Sequence, residues 1–177
     1  VHRTDKGRAT RKAMRLTRMA VANVTQTVPL NESEISIRSE LLVIGGGLAG
    51  MTAAKEASRQ GFPVVLVEQE HELGGHLRNL RRTVDGQDAR AFLNELRNQV
   101  LADPRIEVLT GAVVVGHSGY LGNYSTEVMT SAGTARTVEH GAVVVATGGR
   151  EARPEIFGLG SEPNVLTQTE LEGRIED

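Results

Sequence analysis

Three glycines and one acid carry the most legible chemistry in this chain. Gly45, Gly47 and Gly50 stand in the stretch Leu41-Leu-Val-Ile-Gly-Gly-Gly-Leu-Ala-Gly50, and Glu68 ends the next apolar run after seventeen intervening residues. That spacing suits a bound dinucleotide. Gly45 permits a tight turn out of a buried strand, Gly47 lets the backbone approach a pyrophosphate, and Gly50 lets the following helix pack close to the sheet. Leu48 and Ala49 open that helix. There, unpaired N–H groups and the positive end of the helix dipole converge, so two phosphate charges can be held with no lysine in the loop. Glu68, at the tip of a second strand, would accept hydrogen bonds from an adenosine ribose and repel a 2′-phosphate. Gln69 and Glu70 follow it where NADP binding would want an arginine.

Twenty glycines in 177 residues make chance spacings common, so the elements around the motif decide its meaning. Leu41 to Ile44 is a four-residue apolar run bounded by Glu40, as expected of a strand covered on both faces. Leu48 to Gln60 is rich in Ala, Met and Lys, lacks proline and stops at Gly61, a helix C-terminal signal. Pro63 to Val67 supplies the second strand. Strand, glycine turn, helix, strand and acid therefore stand in the order of a βαβ nucleotide-binding unit.

Two further glycine stretches narrow the ligand. Glu72-Leu-Gly-Gly-His76 follows the second strand, and Ala146-Thr-Gly-Gly149 follows a late apolar strand. The first resembles the glycine pair, here Gly74 and Gly75, along which two-dinucleotide-binding flavoproteins pass the ribityl and pyrophosphate of their flavin. The second resembles the Ala146-Thr147-Gly148 type of motif by which that superfamily turns its chain back beside the cofactor. Both imply FAD.

The resemblance then tightens. Val43 to Ala54, Val67 to Leu80, Ser118 to Tyr124, Glu139 to Gly148 and the ending Val165-Leu-Thr-Gln-Thr-Glu-Leu-Glu172 are similar to the flavin-carrying A subunit of heterodisulfide reductases, over about Arg11 to the last residue. The glycine motifs are generic; Gly75 to Leu80, Gly119 to Tyr124 and the Leu-Thr-Gln segment are particular. The resemblance implies a Rossmann-like, FAD/NAD(P)-binding, doubly wound parallel α/β sheet. It implies that FAD accepts electron pairs and passes single electrons to iron–sulfur clusters, some members splitting the pair between two acceptors, with other subunits of such a complex as partners. It also places His76 near the ribityl or isoalloxazine end, Arg78 on the pyrophosphate, Asn79 at the flavin edge and the Val114 backbone beside the adenine. From spacing alone His76 reads equally as a solvent-facing histidine, Arg78 and Asn79 as an ordinary polar loop, and Val114 as core.

Two departures limit the transfer. The chain has no cysteine, so it cannot ligate a cluster in the usual way, and clusters are expected only on other segments or partner subunits. It also stops before the late glycine-aspartate motif that completes such flavin sites, and Val1 is not an initiating Met. The expectation is a fragment of a longer polypeptide, inactive alone. Two rival readings are a nucleotide-binding or assembly module without turnover and an NAD-linked reductase.

Elsewhere the sequence excludes more than it proposes. Five scattered histidines (His2, His71, His76, His117, His140) with no paired spacing argue against a metal site. There is no Gly-x-Ser-x-Gly elbow for a hydrolase. No apolar run approaches the length of a membrane span, and absence of cysteine fits a reducing cytoplasm. Between the cofactor motifs, Asp88 should cap a helix over Ala89 to Leu101 with Phe92, Leu93, Leu96 and Val100 as its apolar stripe, ended by Asp103-Pro104. Strands are expected at Ile106 to Leu109, Ala112 to Val115, Ser125 to Met129, Arg136 to Val138 and Ala142 to Ala146, those around Ser131-Ala-Gly133 forming a small antiparallel meander.

Charge is uneven. Arg3, Lys6, Arg8, Arg11, Lys12, Arg15 and Arg18 face only Asp5 at the start, leaving a net acidic remainder in a chain of net charge −2. The segment predicts a partly amphipathic basic helix over Thr10 to Thr25, followed by a linker at Val28 to Ser33. This divides the chain into a helix and linker over 1–36 and an incomplete FAD-binding domain over 37–177. A transit peptide and a nucleic-acid arm are alternatives, but no aromatic side chains interleave for base stacking, so docking on a neighbouring domain or subunit is the expected role.

Overall fold

A computed structural model describes residues 5–29 and 34–174; His2, Arg3 and the Leu30 to Ser33 part of the expected linker lie outside them. Residues 1–34 and 35–177 are separate units. In the first, α1 runs over Lys6–Gln26, with Asp5 accepting from the Arg8 N–H as N-cap. It starts four residues before the span that the sequence predicts, because Asp5 supplies the cap, while the Thr10 hydroxyl donates back to the Lys6 carbonyl inside the helix.

The second unit is built on four parallel strands in the order β3-β2-β1-β7, where β1 is Leu41–Ile44, β2 Val64–Val67, β3 Ile106–Leu109 and β7 Ala142–Val145. The first two connections travel through helices α2 (Leu48–Arg59) and α3 (Ala89–Ala102). The third travels through an antiparallel sheet of β4 (Ala112–Tyr120), β5 (Asn123–Thr130) and β6 (Ala135–His140). Side-chain alternation sorts the two faces. Val43, Val64, Leu66 and Ile106 pack with Met51 and Ala54 of α2 and Leu93, Leu96 and Val100 of α3. Leu42 and Val67 point the other way, into Ala112, Val128 and Val138. Helices therefore cover one face and the meander the other. That double cover is why β1 and β2 read as unbroken apolar runs.

Two sequence expectations change here. Phe92 is 45% exposed, because the buried stripe of α3 runs Ala89, Leu93, Leu96 and Val100 and leaves position 92 at its solvent edge. The strand expected at Ala112 to Val115 continues to Tyr120, passing a register shift between Val114 and Gly116. The hairpin that turns at Leu121 and Gly122 is stapled to the segment before β1: the Arg38 N–H donates to the Gly122 carbonyl at 3.0 Å and Asn123 Nδ2 to the Ser36 carbonyl at 2.6 Å. The family-like Gly119 to Tyr124 stretch is thus a fastening of the fold.

Inside the meander His140 is fully buried. Its Nδ1 lies 2.8 Å from the Ala142 carbonyl, which can only accept, so that nitrogen carries the proton and Nε2 of the neutral ring takes the Thr126 hydroxyl at 2.8 Å. Thr126 Oγ1 in turn lies 2.8 Å from His117 Nδ1, whose N–H completes the chain. Burial lowers the His140 pKa below its ordinary 6.5, the neighbouring His117 adds to this, and the bond to Ala142 opposes it. The unfolded chain then binds a proton that the fold resists. The His140 contribution to stability is accordingly complete above pH 6.5 and is lost as pH falls through the lower folded pKa. Melting temperature should drop on acidification from pH 7 towards 5, above the carboxylate range, and His140→Gln should flatten that segment of the profile. An unchanged slope in the variant would assign the drop to other groups.

Candidate functional site

β1 is the strand at which the connections reverse, with β2 on one side and β7 on the other, and open parallel sheets bind ligands at the carboxyl ends of strands at such a point. A cleft of about 530 Å³ lies there. Ile44, Gly45, Val67, Glu68 and Gln69 form one side, Ala112, Val113 and Val114 an apolar wall, and Thr147, Gly148, Gly149 and Arg150 the other side. Val114 is half-buried at that wall.

The glycines divide into structural and open positions. Gly45 has φ +109° and a Cβ there would fall inside the Ala146 carbonyl, so the chain can leave β1 only as glycine. A Cβ on Gly50 would strike the Gly45 carbonyl, so α2 can start this close to the strand end only without a side chain. Gly47 differs: its φ is −76° and nothing lies within 4 Å of where its Cβ would stand. It is the N-cap of α2 and makes no side-chain cap, leaving the amides at Leu48 and Ala49 at an exposed helix start.

Glu68 is 7% exposed and lies on the cleft. The Gly46 N–H donates to its Oε2 at 2.5 Å and the Glu70 N–H to its Oε1 at 2.8 Å. Each carboxylate oxygen has a second acceptor site, so the group is held in place with capacity left for two hydroxyls. Gly46 is also committed: a Cβ there would meet Leu73 Cδ2 at 2.5 Å and Glu68 Oε2 at 2.9 Å. This bracing of the acid by the glycine loop has no signal in the sequence.

The second glycine pair packs directly on the first loop. The Gly74 N–H donates to the Gly46 carbonyl at 2.8 Å, Gly47 and Gly74 form a parallel bridge, and a Cβ on Gly75 would stand 3.2 Å from Gly47 Cα. Gly75–Asn79 then forms a short 3₁₀ turn that buries Leu77. Arg78 Nε donates to the Gly75 carbonyl at 3.3 Å and so braces this loop; it does not line the cleft. Arg97 of α3 braces it from below, donating to the Leu73 carbonyl at 2.6 Å beside Glu72, with its buried Nε unpartnered among the described residues.

His76 joins the loop to the turn after β7, with Nε2 2.5 Å from the Gly149 carbonyl; that nitrogen must carry the proton. A second cleft, of about 400 Å³, opens beside this contact, with His76, Asn79, Gly149 and Arg150 on one side and Glu151, Thr169 and Glu172 on the other. Thr169 and Glu172 come from helix α4 (Gln168–Arg174), and Glu151 from the segment after β7. Thr167 and Glu170 form a reciprocal capping box: the Glu170 N–H donates to Thr167 Oγ1 at 3.2 Å and the Thr167 N–H to Glu170 Oε2 at 3.0 Å. Glu172 accepts from the Arg81 N–H at 3.3 Å and Glu151 from the Thr169 N–H at 2.9 Å, which tie α4 beside the 3₁₀ turn. Gln168, which ends the Leu-Thr-Gln segment, therefore lines the second cleft with Thr169 and Glu172.

A parallel sheet whose switch-point cleft is bordered by the glycine turn that leads from β1 into α2 and by a buried, hydrogen-bonded glutamate defines the class of Rossmann-like dinucleotide-binding oxidoreductase domains. The model of the pyridine nucleotide-disulphide oxidoreductase family matches residues 39–174, and the chain belongs to that family. Within it, the resemblance to heterodisulfide reductase A subunits holds. The chain is 37% identical over 129 residues to one of the CoB–CoM heterodisulfide reductase iron-sulfur A subunits of Methanopyrus kandleri, covering 72% of this chain and 20% of that protein. It is 35% identical over 126 residues to the A subunit of the ferredoxin:CoB–CoM heterodisulfide reductase of Methanosarcina acetivorans, covering 68% and 16%. It thus spans about a fifth of the length of these relatives. Among solved structures, L-proline dehydrogenase from P. horikoshii shares the fold at a TM-score of 0.57 and 24% identity, over 70% of this chain and 25% of that one.

Among the described residues no helix is long and apolar enough to cross a membrane, and no group of three or more His, Cys, Asp or Glu side chains could hold a metal ion.

Proposed function

We propose that this chain is the FAD-binding portion of a heterodisulfide-reductase-like oxidoreductase, which passes electrons through flavin to iron–sulfur clusters located outside these residues. The observation that carries the reading is Glu68, braced by the Gly46 and Glu70 amides on the same cleft that Gly45 and Thr147 to Gly149 border. The donor set suits FAD. Glu68 would take the ribose hydroxyls, the Val113-Val114 wall the adenine, and the amides at Gly47, Leu48 and Ala49 the diphosphate. The ribityl and ring would continue past Gly74, Gly75, His76 and Asn79 and beside Ala146 to Gly148, into the second cleft. Bound FAD would supply the redox chemistry, while the protein supplies position, shielding and electrostatics. No described side chain is required as acid or base. The M. kandleri relative is named an iron-sulfur protein, and this chain lacks cysteine, so clusters would belong to other segments or to partner subunits.

Reconstitution tests it. The intact polypeptide carrying this sequence, incubated with FAD and freed of excess, should retain flavin absorbance and bind FAD much more tightly than ADP, because a formed flavin site adds contacts beyond the diphosphate. A colourless product would overturn the proposal. Equal affinities for FAD and ADP would favour a nucleotide-binding module without turnover, and preferential binding of NADH at Gly45 to Gly50 would favour an NAD-linked reductase.

A further inference from the structure

The two clefts share Gly149 and Arg150 as walls, and Arg150 is the one Lys or Arg among the described residues that line either. Its neighbours there are acidic: Glu68 in the first cleft, Glu151 and Glu172 in the second. Those acids are committed elsewhere, Glu68 to the Gly46 and Glu70 amides, Glu151 to the Thr169 amide and Glu172 to Arg81. The nearby arginines are committed too. Arg78 holds Gly75, Arg97 holds Leu73 and Glu72, and Arg153 pairs with Glu170. Arg150 is exposed and has no hydrogen-bond or ion-pair partner among the described residues, although the turn that carries it is fixed one residue earlier by His76 on the Gly149 carbonyl.

A dianionic diphosphate entering this acidic surrounding is repelled by the carboxylates, and the glycine loop offers only amide dipoles against that repulsion. A guanidinium on an anchored turn is suited to oxygen anions of phosphate. We infer that Arg150 is a cofactor-binding residue whose guanidinium pairs with the diphosphate where the dinucleotide crosses from the first cleft to the second. The inference rests on the reading that FAD occupies both clefts.

Calorimetric titration of the intact polypeptide with FAD, ADP and adenosine, for the native sequence, Arg150→Ala and Arg150→Lys, tests it. Arg150→Ala should weaken FAD and ADP by the same factor, about ten- to hundredfold, the effect of one or two charge-assisted hydrogen bonds. Adenosine, which has no phosphate, should bind the variant as it binds the native protein. Arg150→Lys should fall between, and the decline of affinity with added salt should be shallower in Arg150→Ala. Unchanged FAD and ADP affinities in Arg150→Ala would overturn the inference while leaving the flavin reading intact. A loss confined to FAD would overturn it as well, moving the guanidinium to the flavin ring. Native protein that binds no FAD would remove both.

Discussion

Gly50→Ala is expected to cost about 3 kcal/mol or more of stability and to abolish FAD binding, whereas Gly47→Ala, three residues away, should do only the second. The difference lies in what each Cβ meets. At Gly50 it would strike the Gly45 carbonyl, which is backbone and cannot rotate aside, so α2 must lift from the end of β1. Lifting α2 strains the packing of Met51 and Ala54 against Val43, which are all fully buried. For a chain of this length such a loss lowers the melting temperature by roughly 6–12 °C. At Gly47 φ is −76° and the space is open, so alanine fits the fold with a cost of about 1 kcal/mol or less at the N-cap. The same methyl would then stand where the proposed diphosphate would approach the helix start. Thermal melts and FAD titrations on the two variants check both halves. A Gly47→Ala protein that binds FAD normally would deny the loop its phosphate role, and an unshifted melt for Gly50→Ala would deny the helix its close approach.

Legibility followed the range of the physics. The strands Leu41–Ile44 and Ile106–Leu109 could be bounded from sequence because they are short apolar runs between polar or turn residues, and burial on both faces leaves little freedom of pattern. Asp88 as the cap of α3 was equally plain, since its carboxylate meets the Arg90 and Ala91 amides within one turn. What escaped depends on distant chain. The 3₁₀ turn at Gly75–Asn79 is set by Leu77 entering the core and by His76 reaching Gly149, 73 positions along the sequence. Helix α4 did carry a local signal, the Thr167-x-x-Glu170 box, but seven residues give no apolar period to accompany it. At the site, glycines and acid could be named from spacing, yet the Gly46 amide on Glu68 spans 22 positions and no periodicity encodes it. Arg150, inferred to meet the diphosphate, has no such signal either, because an arginine after a glycine turn is unremarkable until its neighbours are seen to be occupied.

Glu68→Ala should separate the bracing that the structure shows for this carboxylate from the ribose contact proposed for it. Removing it takes acceptors from the Gly46 and Glu70 amides, the first of them buried, and an orphaned buried amide costs about 1–3 kcal/mol. The glycine loop would keep only the Gly45 N–H on the Val67 carbonyl as its tie to the end of β2, so apo stability should fall even though no apolar contact is deleted. Binding should suffer more. Two ribose hydroxyls donating to an ionised carboxylate are worth about 3 kcal/mol together, close to hundredfold in FAD affinity. Glu68→Gln isolates the charge. Its amide oxygen can still accept one backbone N–H, but its NH₂ would face the other, so part of the stability returns and little of the affinity. Melting curves together with titrations by FAD and by 2′-deoxyadenosine diphosphate resolve the roles, because a ligand lacking the 2′-hydroxyl should lose less than one retaining it when Glu68 is removed. If the three proteins bind FAD alike and differ only in melting temperature, Glu68 is a strut of the loop and the ribose lies elsewhere.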